Sequence, residues 1–411
     1  MKIAIISSGF LPVVDGVTVA LYQRLRVLSR LGHSVLVLCP DYAPIKTVYP
    51  HWHDYQGQIL PGVRVVGLPS EPFMGIAFER NMSRRAIEPL RHELEAFAPD
   101  IVHVDEPDRL FLGLLKAPGV DYARANDVPC VGFYHTNFID YIEDFLPLPK
   151  VVNTFLQWFS MLFIRPVFHA YDATLVSSLA AESRLHQLKV KNVLRDRFLG
   201  VDLNVFQTQT RQPDFFKAQY GIDGVEGKIK LIFLGRLTPD KGWKFTLRAL
   251  ADWSSRHELL REQVAIVIAG EGELREEIEK ELRSLKLKAH LLGRISPEAV
   301  PALLTHSDIH ITTSEKETLG LTILEAFAAG IPAITPDAGG VTTLIRSGEN
   351  GLLFEPQNAE SFRRSLTTLI ENKALRQKMG QQGQQDVEPY QWETVVSNLI
   401  DTWKAQIASC S

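Results

Sequence analysis

The feature that most constrains this chain is a strand–helix alternation that occurs twice along it. Short β-branched runs alternate with longer amphipathic stretches from residue 2 to about residue 176, and the same pattern restarts near residue 228. Such alternation is typical of parallel strands joined by helices. The sequence therefore predicts an α/β chain with two doubly wound, Rossmann-like domains that face each other across a cleft. Sheets of this kind bind ligands at the carboxyl ends of their strands.

The domain boundaries follow from the position of the two copies. Residues 1–205 are predicted as an N-terminal domain and residues 228–388 as a C-terminal domain, with the polar stretch 206–227 as the linker between them. Residues 389–411 are predicted as a C-terminal helix that packs back on the N-terminal domain. A chain of 411 residues with 45% hydrophobic content is long enough for two such cores.

Composition excludes several classes of protein. The chain has 44 Lys and Arg against 48 Asp and Glu, and this balance disfavours a nucleic-acid partner. Three cysteines lie far apart in the sequence, which predicts neither a disulfide framework nor a zinc site and fits a reducing cytosol. The sequence contains no G-x-x-x-x-G-K-[ST] loop, so an NTPase is disfavoured.

Two cations mark the first strand end of the second copy. In F-L-G-R-L-T-P-D-K-G, Arg236 follows the predicted strand directly and Lys241 lies five residues later. A guanidinium fork and an ammonium group on one short loop suit a diphosphate. The alternative is a solvated charged loop, which is the usual environment of Lys and Arg.

Two carboxylates lie farther along the second copy, in S-E-K-E-T-L-G-L-T-I-L-E-A-F. Glu317 is predicted in the loop after a strand, and Glu325 on the helix that follows. The first turn of that helix is predicted to hold Leu319, Gly320 and Leu321, whose free amides can bind a phosphate or a sugar hydroxyl. A purely structural acidic first turn would explain Glu317, but it would not explain Glu325 on an otherwise apolar helix.

Two residues of the first copy are also candidates. Gly16 precedes a predicted helix in V-V-D-G-V-T, where a backbone amide can approach a phosphate. His135 follows the predicted strand of V-G-F-Y-H-T and can bind a sugar hydroxyl or a phosphate. The alternatives are a turn that simply needs glycine and a structural histidine.

Taken in order along nearly the whole chain, these stretches resemble glycosyltransferase family 4, the retaining transferases of the GT-B fold. The E-x7-E pattern of Glu317 and Glu325 is the strongest match, and G-R-L-x-x-x-K-G at residues 235–242 is the second. G-V-D-x-x-x-F at 200–206, A-G-G at 338–340 and N-G-L-L-F at 350–354 also match. The D-G-V, Y-H-T and E-T-L-G-L stretches are similar to a subgroup that includes lipid mannosyltransferases and sulfoquinovosyl-diacylglycerol synthases.

The resemblance implies a role for each candidate residue. Arg236 and Lys241 would hold the diphosphate of a nucleotide-sugar donor, Glu317 the donor sugar and Glu325 the ribose. The amides of residues 319–321 would add contacts to the donor. His135 would contact the transferred sugar, and Gly16 a phosphate or the acceptor. The N-terminal domain would then bind the acceptor and the C-terminal domain the donor.

The resemblance also implies a reaction without a cofactor. No D-x-D triplet occurs in the sequence, so no metal site is predicted. The expected activity is retaining transfer of a hexose from a UDP- or GDP-sugar to an acceptor. A membrane lipid such as diacylglycerol or a polyprenyl or phosphatidyl lipid is one acceptor, and a soluble sugar or small molecule is the alternative. A nucleotide-sugar epimerase is disfavoured by the paired motifs.

A lipid acceptor is suggested by the aromatic stretch 151–164. Phe155, Trp158, Phe159 and Phe163 occupy one side of the predicted helix, and cations flank it at Lys150 and Arg165. At about 14 residues, it is shorter than the roughly 20 that a membrane span needs. The stretch is therefore predicted to cover a lipid or touch a membrane surface, with the enzyme in the cytoplasm at the inner face of the membrane. The alternative is a core helix.

Overall fold

A computed structural model of the protein describes residues 1–73, 76–135 and 164–410. The chain divides into two compact units, one containing Met1–Gly200 with Trp392–Ser411 and the other Val201–Gln391. Each unit has a mostly parallel sheet with connecting helices, which confirms the predicted pair of Rossmann-like folds. The predicted aromatic helix at 151–164 lies outside the described residues, apart from Ile164.

The first unit is built on ten described strands. They are β1 (Lys2–Ser7), β2 (Ser34–Pro40), β3 (Gly57–Leu60), β4 (Val63–Leu68), β5 (Ser70–Phe73), β6 (Ile76–Met82), β7 (Ile101–Asp105), β8 (Cys130–Phe133), β9 (Ala173–Val176) and β10 (Val193–Arg195). Its helices before residue 200 include α1 (Gly16–Arg30), α2 (Ile87–Phe97), α3 (Pro107–Leu114), α4 (Val120–Ala125) and α5 (Leu179–Gln187). The sheet has the order β10-β9-β8-β7-β1-β2-β4-β3, and β5 and β6 form a separate hairpin.

Strand β1 is the centre of the first sheet. Ile3 pairs in parallel with Val35 of β2 on one side and with Ile101 of β7 on the other. The chain thus leaves β1 toward one edge of the sheet and later returns to its other side, which makes a topological switch point. After β1, Asp15 caps α1 by accepting a hydrogen bond from the Thr18 amide at 2.8 Å.

The second unit repeats this plan with six strands in the described sheet. They are β11 (Ile229–Leu234), β12 (Val264–Ala269), β13 (Ala289–Gly293), β14 (Ile309–Ile311), β15 (Ala333–Pro336) and β16 (Gly351–Phe354). Its helices include α6 (Leu203–Gln207), α7 (Phe215–Tyr220), α8 (Trp243–Arg256), α9 (Glu258–Arg261), α10 (Arg275–Ser284), α11 (Val300–Thr305), α12 (Leu321–Ala328), α13 (Ala359–Glu371) and α14 (Lys373–Val387). The sheet order is β13-β12-β11-β14-β15-β16.

Strand β11 has the same position in this sheet as β1 has in the first. Leu231 pairs with Ile266 of β12 and with Ile309 of β14, so the second switch point lies between β11 and β14. The segment 206–227, predicted as a linker, contains α7 and packs into this unit. There the Phe215 ring stacks on His306 with 3.8 Å between the ring centroids.

The last helix, α15 (Trp392–Cys410), belongs to the first unit. Trp403 is fully buried, and its indole Nε1 donates a hydrogen bond to Nδ1 of His103 at 3.3 Å. At the surface, Arg30 of α1 forms an ion pair with Glu393 at 2.6 Å. Within the described parts of the chain, no helix combines the length and apolar character that crossing a membrane requires.

Candidate functional site

The candidate donor-binding residues lie at the switch point of the second unit. Arg236 follows β11 and Glu317 follows β14, and these two strands are parallel neighbours. Because neighbouring parallel strands end at the same edge of a sheet, the loops that carry the two residues meet there. The Lys241 ammonium lies 2.7 Å from Oε1 of Glu317, which joins the two motifs directly.

A buried carboxylate organises the two cations. The Asp240 side chain is fully buried, and its Oδ2 lies 3.2 Å from Arg236 and 3.8 Å from Lys241. The Arg236 side chain remains 48% exposed, so part of its guanidinium fork is accessible to a ligand. A buried charge needs compensation, and Asp240 therefore restrains both cations on one loop. The sequence analysis assigned no role to Asp240, although its position four residues after Arg236 and next to Lys241 could have indicated one.

The helix after Glu317 starts later than predicted. Leu321 is the first residue of α12, whereas Leu319 and Gly320 precede the helix rather than forming its first turn. Gly320 has φ of +98°, a backbone conformation that residues other than glycine rarely adopt. The helix therefore begins only after it, at Leu321. The prediction that residues 319–321 form the first turn is therefore wrong for Leu319 and Gly320. The peptide units of all three still lie at the helix N-terminus.

The A-G-G motif at residues 338–340 packs against the loop that carries Glu317. The Gly340 amide donates a hydrogen bond to the Glu317 carbonyl at 2.6 Å. A Cβ atom at position 340 would lie 1.8 Å from the Thr318 carbonyl oxygen, so glycine is required for the close approach. The motif thus fixes the backbone that carries Glu317.

Glu325 lies on α12 in a partly buried position. Its side chain forms no hydrogen bond within the described part of the chain, and burial raises its pKa to about 7. Its carboxylate oxygens can therefore accept hydrogen bonds from ligand hydroxyls, which would also stabilise the ionised form. A partly buried carboxylate without a partner is uncommon in a structural role, and it marks a candidate binding residue.

His135 follows β8 in the first unit. Its side chain is 3% exposed, and Nε2 donates a hydrogen bond to Oδ1 of Asp105 at 2.8 Å. The Nε2 edge is therefore occupied by protein, and the ring itself is nearly buried. Gly16, the other candidate in this unit, is the exposed first residue of α1.

Asp105 is the centre of a buried network that sequence reasoning missed. It is fully buried at the end of β7, 3.2 Å from Arg24 of α1 and 3.0 Å from His103. Burial alone would raise the pKa of Asp105, but Arg24, His135 and His103 more than offset it and hold the pKa well below its usual range. Arg24 is 81 residues from Asp105 in the sequence, so only the fold brings them together. Among the described residues, no group of three or more His, Cys, Asp and Glu side chains could hold a metal ion.

Comparison with known proteins follows the division into two units. Residues 14–205 match the family model "Glycosyltransferase Family 4", and residues 216–386 match "Glycosyl transferases group 1". The GDP-mannose-dependent alpha-mannosyltransferase of Mycolicibacterium smegmatis is 30% identical over 408 residues, which covers 98% of this chain and 97% of that protein. Together these matches cover both candidate sites.

More distant relatives and a solved structure agree with this result. The sulfoquinovosyl transferase of Arabidopsis thaliana is 26% identical over 91% of this chain and 68% of its own length. The alpha-monoglucosyldiacylglycerol synthase of Streptococcus pneumoniae is 24% identical over 86% of this chain and 75% of its own. The sucrose-phosphate synthase structure from Thermosynechococcus elongatus has a similar fold, with a TM-score of 0.78, 17% identity and 99% coverage of both chains.

Replacing Arg236 or Lys241 by Ala is expected to weaken the binding of a nucleoside diphosphate by about 10- to 150-fold. Each replacement removes a charge-assisted hydrogen bond, worth roughly 1.5–3 kcal/mol. Calorimetry with UDP and GDP measures the dissociation constants. Lys244→Ala, which removes an exposed lysine from the start of α8, is the matched control and should bind like the parent. Unchanged affinity in both test variants would remove this loop from the site.

Glu325 is expected to make the stability of the ligand-free protein depend on pH. Its pKa in the folded state is about 7, above the usual 4.5, so its stabilising contribution is present below pH 4.5 and is lost as the pH rises through 7. The difference corresponds to at most about 3 kcal/mol, and partial exposure reduces it. The melting temperature of the parent should therefore fall more between pH 5.5 and pH 8 than that of Glu325→Gln.

Glu298→Gln, a change at an exposed glutamate of the same unit, is the control for this experiment. It should follow the parent at every pH. If Glu325→Gln and the parent lose stability in parallel across this range, Glu325 does not titrate as described.

Proposed function

Because the chain belongs to glycosyltransferase family 4, as its motifs predict, and is therefore a hexosyltransferase that uses a nucleotide-sugar donor, we propose that it transfers a hexose from a UDP- or GDP-sugar to an acceptor hydroxyl with retention of anomeric configuration. One observation carries this proposal: Arg236, Asp240, Lys241 and Glu317 form a connected group at the carboxyl edge of the second sheet. A protein of this fold that no longer catalysed the transfer would not need Arg236 and Lys241 held beside an acidic residue at this edge of the sheet.

In this proposal the second unit binds the donor. Arg236 and Lys241 hold the diphosphate, and Glu317 leaves Lys241 when the ligand arrives and accepts hydroxyls of the donor sugar. The Glu325 carboxylate accepts the ribose hydroxyls, and the amides of residues 319–321 supply further hydrogen bonds at the N-terminus of α12. The nucleotide sugar is a substrate, so the reaction needs no cofactor.

The chemical step exchanges one bond at the anomeric carbon. The bond from C1 to the donor phosphate oxygen breaks while the acceptor oxygen bonds to C1 on the same face of the ring. The acceptor proton moves to the departing phosphate oxygen, and the nucleoside diphosphate leaves. Arg236 and Lys241 stabilise the charge that develops on this leaving group. His135, held by Asp105, contacts the transferred sugar through its Nδ1 edge or its main chain.

For the acceptor we favour a membrane lipid. One relative is named as a monoglucosyldiacylglycerol synthase and another as a sulfoquinovosyl transferase, and both align with most of this chain. The enzyme would then work in the cytoplasm at the inner face of a membrane. A soluble sugar or small-molecule acceptor is the second candidate, since the mannosyltransferase relative carries no lipid in its name.

The donor is expected to be identified by a thermal-shift panel of UDP- and GDP-hexoses. A ligand at one hundred times its dissociation constant adds roughly 2.7 kcal/mol of stability, so one donor should raise the melting temperature clearly above the others. That donor is then incubated with diacylglycerol vesicles and with soluble glycosides, and the product is analysed by NMR. An α-linked product from an α-linked donor is expected. A β-linked product would overturn retention, and interconversion of donor sugars without acceptor would support the epimerase.

Activity is expected to survive chelation of divalent metals. In the proposed site the positive charge opposite the diphosphate comes from Arg236 and Lys241, so Mg²⁺ is not needed to neutralise it. The transfer rate is measured before and after EDTA treatment, with back-addition of Mg²⁺ and Mn²⁺. Complete loss with EDTA and recovery with either metal would contradict a metal-independent reaction.

A further inference from the structure

Three buried hydroxyl groups join the two loops of the candidate donor site. They belong to Thr246 on α8 and to Thr313 and Ser314, which follow β14. Each of these residues is at most 3% exposed, so water does not compete for the hydrogen bonds that the hydroxyls make. Buried hydroxyls need partners inside the protein, and the partners here are main-chain groups of the loop that carries the two cations.

Thr313 ties its strand end to that loop. Its hydroxyl lies 3.2 Å from the Lys241 carbonyl oxygen, 3.3 Å from that of Gly242 and 2.6 Å from the Thr246 hydroxyl. The Thr246 hydroxyl also lies 3.2 Å from the Gly242 carbonyl oxygen. The two threonines have one hydroxyl proton each, and every arrangement of the two protons donates to the main chain of residue 241 or 242.

Ser314 adds a second tie one residue later. Its hydroxyl donates a hydrogen bond to the Asp240 carbonyl at 3.1 Å. The two backbones also approach closely, because a Cβ atom at position 242 would lie 2.5 Å from the Thr313 carbonyl oxygen. Gly242, with φ of +75°, is the glycine that ends the G-R-L-x-x-x-K-G motif. Hydrogen bonds and close packing therefore hold residues 240–242 against the end of β14.

We propose that Thr313 and Ser314 are positioning residues, which fix the separation between the cationic loop and Glu317. Ser314 lies three residues before Glu317, whose carboxylate is 2.7 Å from Lys241. The inference rests on the proposed function, in which one nucleotide sugar spans both loops. Because the sugar and the diphosphate of such a donor are covalently joined, the protein groups that bind them must keep a fixed separation.

The charged contacts of the site cannot fix this separation by themselves. In the proposed reaction Glu317 leaves Lys241 to accept hydroxyls of the sugar, so that ion pair is lost when the donor binds. The contacts of Asp240 with Arg236 and Lys241 lie within one loop. The hydroxyls of Thr313 and Ser314 bind main-chain oxygens, which the donor does not need to displace. They therefore hold the two loops together in both the free and the bound protein.

The inference is tested by the ratio of two dissociation constants, both measured by calorimetry. One is for the UDP- or GDP-hexose that the thermal-shift panel selects, and the other is for the nucleoside diphosphate of that donor. Thr313→Val and Ser314→Ala should raise this ratio by about 10- to 150-fold, because the sugar then loses a charge-assisted hydrogen bond to Glu317. The diphosphate alone should bind nearly as in the parent, since Asp240 still keeps Arg236 and Lys241 together.

Each test variant has a matched control. Thr313→Ser keeps the hydroxyl and loses only a methyl group, so it should keep the ratio of the parent even if its melting temperature falls. Ser307→Ala removes another buried serine hydroxyl, which donates to the Leu303 carbonyl at 2.9 Å just before β14 begins. It should lose about as much thermal stability as Ser314→Ala and keep the ratio of the parent.

A ratio that rises in both test variants and stays at the parent's value in both controls supports the inference. If the donor and the diphosphate weaken equally, if neither changes, or if Ser307→Ala behaves like Ser314→Ala, the inference is overturned and the glycosyltransferase assignment stays intact. Should Thr313→Val not fold, the comparison of Ser314→Ala with Ser307→Ala decides. A parent that binds neither a nucleotide sugar of the panel nor UDP or GDP would overturn the proposed function, and this inference with it.

Discussion

The structure depends on the central strand of each sheet, which must be buried on both sides and pair in parallel with two neighbours. In the first unit β1 lies between β2 and β7, and in the second β11 lies between β12 and β14. The loops that follow two adjacent strands run in opposite directions, and a crevice forms between them. Both groups of polar residues described above, around Glu317 and around Asp105, lie beside such a crevice. The strand order of each sheet thus determines where these polar residues lie in each unit.

Each crevice also contains a fully buried aspartate that fixes the groups around it. Asp105 binds Arg24, His103 and His135, whereas Asp240 binds Arg236 and Lys241. Removing a carboxylate from water is costly unless cations and hydrogen-bond donors surround it, so the position of the aspartate dictates theirs. In the second unit the Arg236 side chain remains partly exposed, and in the first unit Asp105 holds Nε2 of His135. The aspartates therefore fix the positions of the charged and polar side chains around them.

The sequence predicted the parts of this arrangement that local patterns encode. Strand ends, glycines and charged loops placed Arg236, Lys241 and Glu317 at one sheet edge, and the Lys241–Glu317 contact of 2.7 Å agrees with that placement. It could not predict partners brought together from afar, such as Arg24 and Asp105, or Trp403 and His103. The start of α12 was also misplaced, because an apolar run through Gly320 looks helical until the backbone is known to have φ of +98° there. Periodicity indicates which residues face the core, but not which polar residues meet inside it.

The group around Arg236 pairs two cations, Arg236 and Lys241, with two carboxylates, Asp240 and Glu317, so its charges balance within the protein. A nucleoside diphosphate brings negative charge and leaves with more, so cations anchored by a buried carboxylate suit it. A hydroxyl acceptor is neutral and must approach a sugar carbon that becomes electron-poor as the phosphate departs. The doubly wound fold occurs twice in this chain, and in each unit a buried aspartate beside the switch point sets the positions of the charged residues around it.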